Sequence, residues 1–258
     1  IYVTIGGCIF KTENMGKKWM LLNSNSNILF NNIESLFKIN DFLFVFDLSS
    51  GLYLSTDDGI FWEDANPYIG INTDFFSNFY KNNDELYIVD GYIYKFDFAQ
   101  RKWYIPYDTS KGKLGGNAMT IFNAKIITGS NLKKSNTEQG KKVPNIFIYN
   151  LSSKEFISVI DSISGINKYT ITSFVVKDNK IFAGTTGGVF ISTDDGINWK
   201  KKSKGLQYEV GANSFDYEVH KLFVKGNYVY AIITYPTQSG SFPGSGNIAY
   251  STDDGENW

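Results

Sequence analysis

Short apolar runs alternate with turn residues along the whole chain. The clearest stretch runs from Ile171 to Trp199. It predicts a strand over about Ile171–Lys177, a second at Ile181–Gly184 and a third at Val189–Ser192, with a fourth opening at Trp199. Turn signals separate them: Asp178-Asn179, Gly187-Gly188 and Asp194-Asp195-Gly196. Equivalent turns recur at Asn40-Asp41, Asn82-Asn83-Asp84 and Gly226-Asn227. No segment of ten or more residues carries a helical period, so essentially no helix is expected.

The repeat unit becomes visible when segments are aligned on their closing residue. Ile181–Trp199 superposes on Ile1–Trp19 without a gap. The same frame fits Leu43–Trp62 with one residue more and Leu86–Trp103 with one fewer, then 126–156 (Phe156 in the Trp place) and 228–258. The anchors lie 43 residues apart (19 to 62), then 41, 53, 43 and 59. A period near 43 is that of a four-stranded blade, with strands a to d. The expected fold is all-β: a β-propeller of four-stranded antiparallel blades, in one domain over 1–258. Six units are visible, at about 1–22, 33–64, 72–106, 118–159, 169–203 and 213–258, and the ring is expected to hold six or seven blades. Ile1 falls at the start of a strand b and Trp258 at the start of a strand d. The first and last units are therefore incomplete, and a natural chain extending past one or both ends is expected.

One string marks the c–d turn of these units. Ser-Thr-Asp-Asp-Gly-x-x-Trp stands at 55–62, 192–199 and 251–258, and a worn copy, Thr-Glu-Asn-Met-Gly-Lys-Lys-Trp, at 12–19. Asp and Ser side chains bond turn amides. Gly supplies positive φ at no steric cost. Trp offers a large ring to bury and one N–H to satisfy. The string resembles the Asp-box (BNR) repeat, Ser-x-Asp-x-Gly-x-x-Trp, of sialidases and related β-propellers. Matching positions are Ser55, Asp57, Gly59 and Trp62; Ser192, Asp194, Gly196 and Trp199; and Ser251, Asp253, Gly255 and Trp258. Thr12, Asn14, Gly16 and Trp19 hold the same places in the worn copy. The resemblance implies a folding device away from any active site. Asp-rich loops elsewhere hold Ca²⁺, but Asp-Asp-Gly lacks that ligand spacing and its closing Glu, so neither metal nor cofactor is expected. In the third and fourth units the box is replaced by Phe96-Asp97-Phe98-Ala99-Gln100 and Tyr149-Asn150-Leu151-Ser152-Ser153; those hairpins are expected to be held by packing.

Composition narrows the function. The 258 residues are 42% apolar and 17% aromatic, enough for a large core of many short strands. A net charge of −1 gives no pull toward nucleic acid or an anionic membrane. No run of 18 apolar residues exists, so no membrane span is expected. The single cysteine, Cys8, rules out an internal disulfide and is expected to be buried. No signal peptide is visible; the habit of the family suggests an extracellular or periplasmic protein.

The a–b and c–d turns lie at one end of a blade, and the b–c and d–a connections at the other. Two b–c connections are expanded, at 129–145 and about 235–247, and the d–a connections 64–73, 104–118 and 203–213 join them. Binding residues concentrate on loops held by a rigid scaffold, so this face is the expected site. Its candidate contacts are Tyr68, Tyr104, Tyr107, Tyr208, Tyr235 and Phe242, with Lys133, Lys134, Lys141 and Lys142. Exposed aromatics stack on sugar rings or anchor protein partners; the alternative is that they cap blade ends and that the lysines solubilise a loop.

Sialidases hold their substrate carboxylate with three arginines. This chain has one, Arg101, in a box-like turn on the other face, and lysine does not reproduce a planar bidentate clamp. Other glycoside hydrolases on related propellers need two carboxylates at a suitable separation, for which Asp64, Asp74, Asp108, Glu209 and Asp216 are available without a spacing that singles out a pair. The only histidine, His220, has no evident partner and is taken as structural. The expected function is non-catalytic binding or scaffolding of a protein or glycan partner through the loop face, as in the photosystem II stability/assembly factor; the alternative is a glycoside hydrolase of non-sialidase type.

Overall fold

The computed structural model describes residues 1–66, 79–82, 84–90, 92–111, 114, 116, 118–129, 145–159, 163–235 and 246–258. Its only helical turns there are short 3₁₀ segments, such as Asn23–Asn25 and Ile166–Lys168. The strands form antiparallel sheets in chain order. The first holds Tyr2–Ile5, Cys8–Lys11 and Met20–Leu21. The second holds Ile33–Ile39, Phe42–Asp47, Gly51–Ser55 and Glu63–Asp64, and the third Phe79–Asn82, Glu85–Asp90, Tyr92–Asp97 and Lys102–Tyr104. The fourth holds Ala118–Phe122, Lys125–Gly129, Ile146–Asn150 and Phe156–Val159. The fifth holds Ile171–Lys177, Lys180–Thr185, Gly188–Ser192 and Lys200–Lys201. A separate two-stranded hairpin, Gln207–Val210 with Asn213–Asp216, precedes the sixth sheet of Glu218–Lys225, Tyr228–Thr234 and Asn247–Ser251. The first and last sheets have three strands each, lacking the strands a and d that the repeat frame leaves out. Two compact units result: Ile1–Asp90 with Tyr94–Pro106, and Gly91–Ile93 with Tyr107–Trp258.

The run Leu43-Phe44-Val45-Phe46 shows why the strands are so apolar. Successive side chains on a strand point to opposite faces. Leu43 and Val45 pack with Ile9, Phe30 and Trp62 toward the first sheet. Phe44 and Phe46 pack with Leu86, Ile88 and Phe96 toward the third. The second unit repeats the arrangement: Ile181 and Ala183 join Ile127 and Ile148 of the fourth sheet, while Phe182 joins Val219, Val229 and Ala231 of the sixth. A sheet covered on both faces needs a continuous apolar strand rather than an alternating one.

The box turns form as their residues dictate. In the second sheet the Ser55 hydroxyl donates to Asp57 Oδ1 (2.7 Å) and accepts the Gly59 N–H (2.9 Å). Asp57 Oδ1 also takes the N–H groups of Ile60 and Phe61, and Trp62 Nε1–H donates to the Gly59 carbonyl at 3.0 Å. The same set joins Ser192, Asp194, Gly196 and Trp199. Ser251, Asp253 and Gly255 repeat it, but the Trp258 indole donates instead to the carbonyl of Lys202, just past the last strand of the fifth sheet.

The second aspartate of each pair has a separate role that sequence reasoning missed. Asp58, Asp195 and Asp254 sit at positive φ (64°, 60° and 56°). That conformation aims each carboxylate back at the preceding sheet. Asp58 accepts from Lys11 and Tyr2 (2.5 Å each) as well as from Lys38. Asp195 accepts from Lys125 (2.6 Å) and Asn123, and Asp254 from Lys177 and Lys180 (2.6 Å each). The adjacent glycine brings the backbones together: a Cβ on Gly255 would stand 2.8 Å from Ile191 Cδ1, and one on Gly196 3.3 Å from Ile127 Cδ1. One aspartate builds the turn and the next latches it to its neighbour.

Three expectations need correction. The worn copy keeps its turn bonds, with Gly16 N–H on Thr12 Oγ1 and Lys18 N–H on Asn14 Oδ1. Its Trp19, however, is 41% exposed, against 1% for Trp62 and 3% for Trp199. Cys8 is likewise exposed. Val3↔Phe10 and Ile5↔Cys8 are paired, so Cys8 lies on the face of the first sheet opposite the one that Ile9 buries. The turns of the third and fourth sheets are not held by packing alone. Asp97 Oδ1 accepts from Ala99 and Gln100, and Asn150 Oδ1 from Ser152 and Ser153.

Candidate functional site

The site is built at the end of the sixth sheet where its first strand begins and its second finishes. The chain enters from the fifth sheet through Ser203, whose carbonyl accepts the N–H of the buried Leu206 (2.8 Å). It then folds into the hairpin Gln207–Val210/Asn213–Asp216. The two-residue turn Gly211-Ala212 places Gly211 at φ +63°, the kind of turn that closes tight hairpins. Tyr217 N–H closes the base on the Leu206 carbonyl (3.0 Å). Tyr208 and Phe215 face each other across the ladder at 5.7 Å.

Tyr217 and Tyr235 complete the cluster. Ring centroids lie 5.1 Å apart for Tyr208–Tyr217, 5.0 Å for Tyr208–Tyr235 and 5.0 Å for Tyr217–Tyr235. The last two pairs are edge-on, the arrangement aromatic quadrupoles favour. A hydrogen bond to Tyr235, with some burial, raises the Tyr217 hydroxyl above its ordinary pKa. Phe215 and Tyr235 are exposed, and Tyr208 and Tyr217 are half-buried. The cluster thus shows ring faces and hydroxyls to solvent from a base fixed by backbone bonds.

Three polar side chains beside it are engaged. Asp216 pairs with Lys201 and receives the Gln207 amide. His220 sits at the register shift between Val219 and Lys221, and its Nε2 lies 2.6 Å from Thr234 Oγ1, the partner that sequence did not supply. Elsewhere, Asp108 accepts from Ser110, Asp64 from Asn66, and Arg101 donates to Glu63 at 2.9 Å. Among the described residues no group of three or more His, Cys, Asp or Glu is placed to hold a metal ion.

The sequence candidates therefore separate. Tyr208 and Tyr235 come together. Tyr104 is exposed on the last strand of the third sheet, in the other compact unit. Tyr107 is 7% exposed and packs on Tyr149 at 5.6 Å, so it is a core residue and not a contact. Tyr68, Phe242, Lys133, Lys134, Lys141 and Lys142, with Asp74, lie outside the described residues. Sequence reasoning missed Phe215 and Tyr217 because it took 203–213 as an open connection. The signal was present in Tyr208-x-Val210, Gly211-Ala212 and Asn213-x-Phe215: short alternation around a glycine turn.

A family model of the BNR/Asp-box repeat matches residues 190–201. The chain carries a BNR/Asp-box repeat. No curated protein matches it. Among solved structures, the extracellular domain of a hybrid two-component system from B. thetaiotaomicron aligns at 15% identity and TM-score 0.57, over 84% of this chain and 27% of that one. The structure described as YCF48 bound to D1 peptide aligns at 13% identity and TM-score 0.55, over 88% and 69%. A GH74 enzyme of Niastella koreensis aligns at 15% identity and TM-score 0.56, over 97% and 46%. The chain thus spans less than half the length of the first and third of these. At such identities the likeness establishes the fold, which is that of Asp-box β-propellers.

Proposed function

We propose that this chain is a non-catalytic binding or scaffold propeller, and that Tyr208, Phe215, Tyr217 and Tyr235 anchor a protein partner. The observation that carries this reading is the exposed aromatic cluster gathered at the base of a backbone-bonded hairpin. Aromatic side chains dominate interface energetics at low entropic cost. Asp216 beside the rings is taken up by Lys201 within the chain, which leaves an aromatic centre with a polar rim, the usual anatomy of a protein interface. That YCF48 is described with a bound peptide supports the fold's suitability for the task. The proposed setting is periplasmic or extracellular, in line with the extracellular domains among the structural neighbours.

Pull-down from a matched extract and a glycan array, run in parallel, test the proposal. The Tyr208→Ala/Tyr235→Ala variant should lose protein capture by about 30-fold or more, as for a hot spot of about 2 kcal/mol. Tyr104→Ala should not. Glycan binding abolished by the double variant would transfer the site to carbohydrate. Protein capture unaffected by the double variant would remove the cluster from the function.

A further inference from the structure

The hairpin beside the rings carries an open edge. Tyr217 N–H donates to the Leu206 carbonyl (3.0 Å), and the pairs from Gln207↔Asp216 to Val210↔Asn213 follow in unbroken antiparallel register. Bonded and non-bonded pairs alternate along such a ladder. Leu206, Tyr208 and Val210 therefore turn their N–H and C=O groups inward to the facing strand, and Gln207 and Glu209 turn theirs outward. Among the described residues, Gln207–Val210 pairs with Asn213–Asp216 and with no further strand. The other strand of the hairpin leads into Glu218–Lys225, which Tyr228–Thr234 already pairs.

This edge lacks the usual protection. Open edges are commonly blunted by lysine, proline or a bulge, and Gln207-Tyr208-Glu209-Val210 has none of them. Glu209 and Val210 are exposed. Side chains alternate across the strand, so Tyr208 stands on the ring face with Phe215, and Glu209 on the opposite face. From Gln207 to Glu218 the chain carries Glu209, Asp216 and Glu218 and neither Lys nor Arg. Lys201 offsets Asp216, while Glu209 has no ion pair among the described residues. The edge thus presents strand hydrogen bonds, a ring on one face and a negative charge on the other.

We propose that the Gln207–Val210 edge takes an extended, basic segment of the partner protein as an added antiparallel strand. This partner deepens the protein-binding role proposed for the rings and rests on it. Antiparallel pairing is the more stable arrangement per residue. In it, the residue opposite Glu209 exchanges both backbone bonds with it and sets its own side chain beside the carboxylate, so that residue is Lys or Arg. The residue opposite Tyr208 makes the closer, non-bonded pair, and an aromatic or β-branched side chain packs best there. The segment therefore alternates apolar and basic residues over about five positions, the usual length of a strand.

Fluorescence anisotropy of the full chain with labelled, capped pentapeptides tests the pairing. One library alternates Val, Ile, Phe or Tyr with Lys or Arg; the other carries Asp or Glu in place of the bases. The basic library should yield binders and the acidic one none. In a binder, N-methylation at the basic positions should cost about 10-fold or more, as loss of a ladder bond does, and at the apolar positions it should cost nothing. Glu209→Pro removes an outward N–H and no bond within the hairpin, and should weaken binding by a similar factor. Glu209→Lys should move binding to the acidic library. Circular dichroism checks that both variants have folded. No binder in the basic library, equal binding of the two libraries, or N-methylation costs that do not alternate would each overturn strand addition. Self-association of the wild type that Glu209→Pro abolishes gives the edge to a second copy and overturns it as well. These outcomes leave the ring contact standing, since capture by Tyr208→Ala/Tyr235→Ala reads that separately.

Discussion

At the three junctions that carry a full box, the organising residue is its second aspartate, and its ionisation is the point at which the fold meets pH. Burial alone pushes the Asp58 carboxyl up. The bonds from Lys11, Tyr2 and Lys38 outweigh that and hold it at about 2. Lys125 and Asn123 hold Asp195 below its ordinary value, and Lys177 and Lys180 hold Asp254 below its own. A carboxyl depressed by folding binds its proton more tightly in the unfolded chain. Its stabilising contribution is therefore complete above the unfolded value, near 4, and is lost as the pH falls toward 2. The first aspartates add to this window: Asn257, the Asn257 backbone and Ser251 hold Asp253 at about 2. Melting temperature followed from pH 6 to pH 2 should fall mainly below pH 4. Asp58→Asn should lower it at pH 7 and flatten the fall below pH 4. An unchanged acid slope in that variant would show that the latch carries no weight. Sequence displayed the paired aspartates but not this division, because the direction of the second side chain is set by a positive φ that only the folded turn reveals.

At the scale of the element, the hairpin was legible and its cover was not. The turn residues, the glycine and the indole stand in one continuous string, so local chemistry is enough to predict the c–d hairpin. Burial of the indole depends on the next sheet, which no local pattern encodes. Trp62 and Trp19 occupy the same place in the same motif. Trp62 packs edge-on against Phe30 at 5.2 Å within the layer formed by Ile9, Leu43 and Val45, while Trp19 faces outward. Trp62→Ala should cost about 3–5 kcal/mol, the range for a deleted core aromatic. Trp19→Ala should cost about 0.5 kcal/mol or less, as surface changes do. Urea denaturation of the two variants measures the contrast, and equal losses would mean that the first sheet is covered in solution. The aromatic cluster has the same history. Tyr208 and Tyr235 were visible as loop aromatics, but Phe215 and Tyr217 joined them only when the 203–213 connection proved to be a paired hairpin. Tyr107, drawn from the same kind of connection, turned inward onto Tyr149.

For the molecule as a whole, a repeat frame predicts where sheets occur but not how firmly each is held. Stability in repeat architectures is close to a sum of unit terms and nearest-neighbour interfaces. The strands Lys180–Thr185 and Gly188–Ser192 are buried on both faces, with the fourth sheet against Ala183 and Phe190 and the sixth against Phe182 and Ile191. The strand Tyr2–Ile5 alternates between half-buried and exposed positions, and the hairpin Gln207–Val210/Asn213–Asp216 has no further strand on either edge among the described residues. Amides open with free energies that follow this local burial and pairing. Hydrogen exchange should therefore be slowest in the two fifth-sheet strands. It should be faster by orders of magnitude in Tyr2–Ile5 and in the 207–216 hairpin. Uniform exchange across all sheets would mean that the repeats unfold as one cooperative body.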